Sequence, residues 1–106
     1  MGARALILVV PLWLACSGPR PSVDGVRVTP GPLPGRYRVE ATVTNRARGE
    51  GQVEVRIELR DRRSGRVVET ERDLPLHGHE EAHLTADVEA PAGDWDARVS
   101  ADYPPQ

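Results

Sequence analysis

Apolar and polar side chains alternate with a period of two along most of the chain beyond residue 35. The alternation is cleanest in four segments, whose apolar members are Tyr37, Val39, Ala41 and Val43; Val53, Val55, Ile57 and Leu59; Ala82, Leu84, Ala86 and Val88; and Trp95, Ala97, Val99, Ala101 and Tyr103. This pattern places one face of each segment against a core and the other in water, which predicts half-buried antiparallel strands. A helix over residues 50–60 would scatter its aliphatic side chains around the cylinder, so a helical interpretation fails.

Two further segments predict less regular strands. In residues 23–29, Val26 and Val28 share one face, and in residues 66–74 only Val68 and Leu74 are inward candidates among many charges. Such charges are typical of an edge strand that is kept from aggregating. Stretches rich in Gly, Pro, Asp and Asn separate all of these segments. Six or seven short strands joined by turns predict an all-β protein, a small immunoglobulin- or fibronectin-III-like antiparallel β-sandwich over residues 23–106.

The start of the chain follows a different pattern. Arg4 provides a positive charge, residues 5–15 carry no charge, and Cys16, the only cysteine, follows directly. A positive start before a short apolar run is typical of a secretory signal, whereas a membrane-spanning helix needs about 20 apolar residues. The sequence therefore predicts a signal peptide over residues 1–15. Residues 16–22, which contain glycine and two prolines, are predicted to be a flexible tether.

Leu14, Ala15 and Cys16 resemble the signal of bacterial lipoproteins, with Trp13 in place of the usual Leu or Val. The resemblance implies that the thiol of Cys16 is lipidated and that acyl chains such as palmitate anchor the protein to a membrane. It also implies a cell-envelope location. Ser17 after the cysteine implies the periplasmic side of the outer membrane if the host is Gram-negative. A simple secretion signal with a free cysteine and an uncleaved anchor are the alternatives left open.

The middle of the chain resembles the FxLYD domains, small immunoglobulin-like sandwiches of bacterial lipoproteins and envelope proteins. Leu59, Asp61 and Gly65 match the pattern, whereas Ile57 replaces Phe and Arg60 replaces Tyr. The resemblance spans about residues 37–103. The adhesion-related immunoglobulin-like domains of bacterial surface proteins are a neighbouring alternative. Either resemblance implies a fold and an envelope setting without catalytic residues.

Elementary physical chemistry assigns structural roles to the matched residues. Leu59 is expected to face the core, Asp61 to accept hydrogen bonds from turn amides, and Gly65 to adopt the positive φ that closes a hairpin. Asn45 is expected to cap the opposite turn. Trp95 lies in a clean alternation and is expected to anchor the core.

The charge balance limits the kinds of partner. All 14 basic residues are arginine, they face 16 Asp and Glu residues, and the formal net charge is −2. Because nucleic-acid binding normally requires a basic excess, no nucleic-acid partner is expected. If the single thiol carries lipid, the domain has no disulfide and depends on burial and strand pairing.

One cluster has the chemistry of a ligand set. His77, His79 and His83 lie within seven residues, and imidazoles suit Zn or Cu. A solvated turn and outer strand face is the simpler interpretation. Arginines near residues 60–66 present the same choice between anion binding and a solvated loop.

These observations favour a non-catalytic, lipid-anchored interaction module that contacts an envelope partner through loops or a sheet edge. No cofactor is expected, and no serine lies in a nucleophile motif. A metal-handling lipoprotein that uses His77, His79 and His83 is the alternative function.

Overall fold

The structure is a computed structural model that describes residues 18–105. This part of the chain contains six strands, namely β1 (Pro21–Pro30), β2 (Arg36–Asn45), β3 (Gly51–Asp61), β4 (Val67–Leu76), β5 (Glu81–Glu89) and β6 (Trp95–Asp102). Residues 18–105 contain no helix with the length and apolar character that a membrane span requires. The predicted all-β class is confirmed.

The strands form two antiparallel three-stranded sheets that pack face to face. One sheet has the order β1-β2-β5 and the other the order β4-β3-β6. The chain therefore crosses from the first sheet to the second after β2, returns after β4 and crosses again after β5. This is an immunoglobulin-like β-sandwich, as the strand pattern predicted.

The core lies between the inner faces of the two sheets. Its fully buried members include Val39 and Val43 from β2 and Val55, Ile57 and Leu59 from β3. These residues alternate along their strands with polar neighbours, which explains why the period of two identified them. The core contains one aromatic side chain that is nearly fully buried, Trp95.

The sandwich begins earlier than the predicted boundary at residue 23. Pro21 and Ser22 already pair with β2, and Pro19 is buried. The prediction of a flexible tether over residues 16–22 is therefore wrong for residues 19–22. A bulge between Asp24 and Arg27 contains Gly25 at a φ of 64°, a conformation that costs glycine little.

β4 is an edge strand, as predicted, but it pairs along its whole length. Its ten residues form a continuous ladder with β3, and the strand extends to Leu76. Val68 and Leu74 are half-buried and Leu76 is buried. The charged side chains of β4 therefore shield an exposed edge without weakening its pairing to β3.

Candidate functional site

Asn45 connects three segments at one end of the sandwich. Its Oδ1 accepts hydrogen bonds from the backbone N–H groups of Arg20 (3.1 Å) and Ala47 (2.9 Å). Its Nδ2 donates to the carbonyl oxygens of Gly49 (2.8 Å) and His77 (2.9 Å). We call this region the N-terminal end; it comprises residues 18–20, the β2–β3 loop and the β4–β5 turn.

Only 1% of the surface of Asn45 is exposed. An asparagine side chain offers two donated hydrogens and an oxygen with two lone pairs, and Asn45 uses all of them. The predicted cap of the β2–β3 turn is present in the bonds to Ala47 and Gly49. The bonds to Arg20 and His77 were not predicted, because they come from residues far along the chain.

The opposite end of the sandwich contains the β3–β4 hairpin. Asp61 accepts hydrogen bonds from the N–H of Arg63 (3.1 Å) and the hydroxyl of Ser64 (2.9 Å). These bonds lower the pKa of the Asp61 carboxyl below its ordinary value, with the Arg63 amide as the largest cause. Gly65 adopts a φ of 76°, as the hairpin required. We call this region the hairpin end; it comprises residues 31–35, 62–66 and 90–94.

Trp95 completes the core near the hairpin end. The side chain is 6% exposed and packs edge to face against Tyr37, with ring centroids 6.2 Å apart. Its Nε1 donates to the carbonyl oxygen of Pro91 at 2.8 Å, so the polar atom is satisfied. The indole is therefore a buried structural anchor, and a sugar-stacking role has no exposed ring face to use.

The three histidines do not form a shared site. His77 Nδ1 lies 3.1 Å from a carboxylate oxygen of Glu50, and His83 Nδ1 lies 3.3 Å from Thr42 Oγ1. His79 adopts a φ of 55° in the turn between β4 and β5. Within residues 18–105, no three His, Cys, Asp or Glu side chains are grouped so that they could hold a metal ion.

The reason for this separation is the topology. The turn that contains His77 and His79 carries the chain from one sheet to the other, and His83 points from the outer face of β5. The alternative in which these imidazoles converge on a metal therefore has no shared site among residues 18–105. Hydrogen bonding to Glu50, with a further contribution from the charge of Glu80, instead raises the pKa of His77 above its ordinary value.

The arginines of the hairpin end are partly neutralised. Arg62 lies 3.3 Å from a carboxylate oxygen of Asp96 and 4.0 Å from one of Asp94.

β3 separates this end from the N-terminal end by eleven residues. Cys16, the predicted lipidation residue, lies outside the described residues.

Two features of the sheet β4-β3-β6 were not apparent in the alternation. Glu54 lies on the outer face, where water was expected, yet it is only 7% exposed and lies 3.4 Å from Arg56. Pro105 lines the same recess as Glu54. The second feature is a groove of about 440 Å³ beside β6, with Val26, Ala97 and Val99 among its lining residues.

Comparison with known proteins identifies the fold alone. No protein-family model matches this chain, and no curated protein matches it. The crystal structure of a GH3 beta-glucosidase from Bifidobacterium adolescentis matches 67% of this chain with a TM-score of 0.56 and 22% identity. A beta-glucosidase from Listeria innocua in complex with glucose matches 67% of the chain with a TM-score of 0.48 and 18% identity.

These matches concern a small part of the enzymes. The chain covers 11% of either glucosidase, and the matched part of the first is a β-sandwich domain. At this identity the likeness describes the strand arrangement of the matched 67% of this chain and says nothing about catalysis.

Proposed function

We propose that this protein is a lipid-anchored, non-catalytic module of the bacterial cell envelope that acts by contact with another envelope protein. It requires no cofactor. The observation that best supports this proposal is the short distance along the chain between Cys16 and the first residues that pack on the sandwich. The resemblance of residues 1–17 to lipoprotein signals supplies the anchor.

The packing of residues 18–20 supports a closely held domain. Gly18 lies so near the ring of Tyr103 that a Cβ would overlap it. Pro19 is buried, and the N–H of Arg20 donates to Asn45. Because Cys16 is two residues from Gly18, a lipid on Cys16 would hold the N-terminal end within about 7 Å of the membrane surface.

This placement makes the N-terminal end the anchored end of the domain. β3 runs from the N-terminal end to the hairpin end over eleven residues. At about 3.3 Å per residue, the hairpin end lies roughly 35 Å along the sandwich from the anchored end. Arg62 and its neighbours therefore lie at the end farther from the anchor, where an envelope partner can contact them.

The anchor is tested by mass spectrometry of the mature protein after expression of the full chain in a Gram-negative host. We expect an acylated N-terminal Cys16, and we expect Cys16→Ser to lose both the acyl mass and the outer-membrane fraction. Two or more acyl chains, at about 0.8 kcal/mol per buried methylene, are enough for stable partition. Ser17→Ala is the matched control and should remain acylated. An unmodified thiol in the parent protein would contradict the proposed anchor.

The contact function is tested by crosslinking at the hairpin end. A photoreactive residue in place of Arg63, which is exposed, should capture an envelope protein in intact cells. The same residue in place of Arg48, at the N-terminal end, should capture less because the membrane would cover that end. Absence of any protein adduct from either position would count against an interaction module.

A further inference from the structure

β6 is an edge strand of the sandwich that no proline or bulge protects. In the seven-stranded immunoglobulin arrangement, the strand that corresponds to β6 has a neighbour on each side. Within residues 18–105, β6 pairs only with β3. Edges are normally protected by prolines, bulges or charges, and β1 has Pro21, Pro30 and a bulge, whereas β4 contains Pro75. β5 and β6 contain neither proline nor bulge, and both carry charged side chains on their outer faces.

The backbone of β6 offers hydrogen-bonding groups to a further strand. The N–H of Arg62 donates to the carbonyl oxygen of Asp94. The even-numbered residues of β3 and β6 that lie opposite each other are therefore the hydrogen-bonded pairs of this ladder. In an antiparallel ladder the two backbone groups of a residue point to the same side, and successive residues alternate. The N–H and C=O groups of Ala97, Val99 and Ala101 therefore point away from β3, toward the open edge.

The surface beside this edge suits the side chains of an added strand. Val26, Ala97 and Val99 are half-buried and contribute apolar surface to a groove that Arg56 and Glu58 of β3 also line. β1 and β6 lie close together, yet no backbone hydrogen bond joins them in the described part of the chain. An added strand would cover these apolar side chains and satisfy the backbone of β6.

The outer face of β6 carries two charges that lack ion-pair partners among residues 18–105. Arg98 lies opposite Glu58 on β3, but Glu58 pairs with Arg60 at 3.5 Å. Asp102 lies opposite Glu54, which adds a like charge. Both residues are exposed and four positions apart on one face, with Ser100 midway between them.

This spacing is self-complementary in one antiparallel register. When two copies of β6 pair about Ser100, each Arg98 lies opposite Asp102 of the other copy. Pairing about Arg98 would oppose two arginines, and pairing about Val99 would oppose Asp96 with Asp102. Pairing about Ala97 would place each Arg98 opposite Asp96 of the other copy, and Asp96 already contacts Arg62. Like charges directly opposite each other destabilise a sheet, whereas opposite charges stabilise it.

We propose that β6 pairs edge to edge with β6 of a second copy of this chain, in antiparallel register about Ser100. The pairing joins the two β4-β3-β6 sheets into one six-stranded sheet across a two-fold axis. Only residues 98–102 of each copy are directly opposed, so the interface is smaller than that of a stable dimer and the association is weak. Confinement of both copies to one membrane would raise their effective concentration.

The register is tested by disulfide trapping of the full chain in cells. Ser100 lies on the two-fold axis in a non-hydrogen-bonded pair, where Cα atoms are about 4.5 Å apart, a distance that a disulfide spans. We expect Ser100→Cys to form a covalent dimer under mild oxidation. Arg98→Cys is the matched control, because its two copies would lie about 13 Å apart along the strands. The parent chain controls for disulfides through Cys16.

Charge reversal tests the choice of partner. In the Ser100→Cys chain, Arg98→Asp or Asp102→Arg should lower the trapped dimer about tenfold at limiting expression, because two attractive pairs become repulsive. The double variant should recover the dimer, since it restores both pairs. If a reversed variant fails to fold by circular dichroism, Arg98→Gln and Asp102→Asn provide milder versions.

Equal trapping at positions 98 and 100 would overturn the proposal, as would a double variant that fails to recover. Trapping of Ser100→Cys mainly to a protein of another mass would replace the second copy with a different partner. Acylation of Cys16 is measured separately, so failure of the dimer and failure of the membrane anchor are distinguishable.

Discussion

At both ends of the sandwich a polar side chain forms hydrogen bonds with loop residues, but the two side chains are buried to different extents. At the N-terminal end, the buried amide of Asn45 makes four hydrogen bonds to backbone groups. At the hairpin end, the carboxylate of Asp61 bonds one backbone amide and one hydroxyl near the surface. Trp95 supplies the buried contacts there instead.

The difference shows that burial decides how much a polar side chain stabilises a turn. Water can replace Asp61 at the surface, because the amides it binds remain accessible. Water cannot easily replace Asn45, because the groups around it would be left unpaired in a buried place, and each such group costs about 1–3 kcal/mol. Four predictions test this comparison, in decreasing order of effect.

Trp95→Ala should cause the largest loss of stability. The variant removes the only nearly fully buried aromatic side chain among residues 18–105 and its bond to Pro91. Replacement of a buried large aromatic by alanine costs about 3–5 kcal/mol. Urea unfolding should show a midpoint far below that of the parent, whereas Trp95→Phe should retain much of the stability. A small effect of Trp95→Ala would mean that the hairpin end is not held by the core.

Asn45→Ala should cost about 3 kcal/mol, because two donors and two acceptors near Asn45 lose their partner. Thr44→Ala is the matched control on the outer face of the same strand and should change the free energy of unfolding by less than about 0.5 kcal/mol. Both values come from urea unfolding of the full chain. Equal effects of the two substitutions would refute the central role assigned to Asn45.

Gly65→Ala should cost about 1 kcal/mol, because the residue has a positive φ that alanine adopts at a penalty. No atom lies within 4 Å of the Cβ position, so backbone strain is the sole expected cause. Gly65→Asn should cost less, since asparagine tolerates this conformation better. Unfolding midpoints that rank alanine above asparagine would contradict this explanation of the hairpin.

The two ends should respond to pH with opposite signs and small amplitude. The lowered pKa of Asp61 gives a contribution that is present above the ordinary value of 3.8 and is lost as pH falls through the folded value. The raised pKa of His77 gives a contribution that is present below 6.5 and is lost as pH rises through the folded value. Asp61→Asn should remove the acid-side change only.

Proton NMR titration checks the His77 half of this prediction directly. Its imidazole should titrate above 6.5 in the parent and closer to 6.5 in Glu50→Gln. Glu89→Gln, at the other end of the sandwich, should leave the titration of His77 unchanged. A value below 6.5 in the parent would show that the contact with Glu50 does not form.

The sequence predicted the strands better than the sites. Gly65 has its positive φ and Asp61 binds a turn amide, because each of these roles depends on neighbours a few residues away. Leu59 is fully buried, because the alternation already identified the inner face of its strand. The three histidines do not meet in the described residues, because proximity along the chain does not imply proximity across a turn between two sheets. Asn45 was predicted as a local cap, and its partners Arg20 and His77 lay beyond any local signal.

Side-chain alternation alone determined that this protein is built of strands and which side of each strand faces the core, because the pleat makes every second residue equivalent whatever the partner. Tertiary structure decided which strands share a sheet, where the backbone of β6 is left open and why Asn45 is buried. Those outcomes depend on contacts between residues far apart in the chain, and a repeat of two residues carries no information about them.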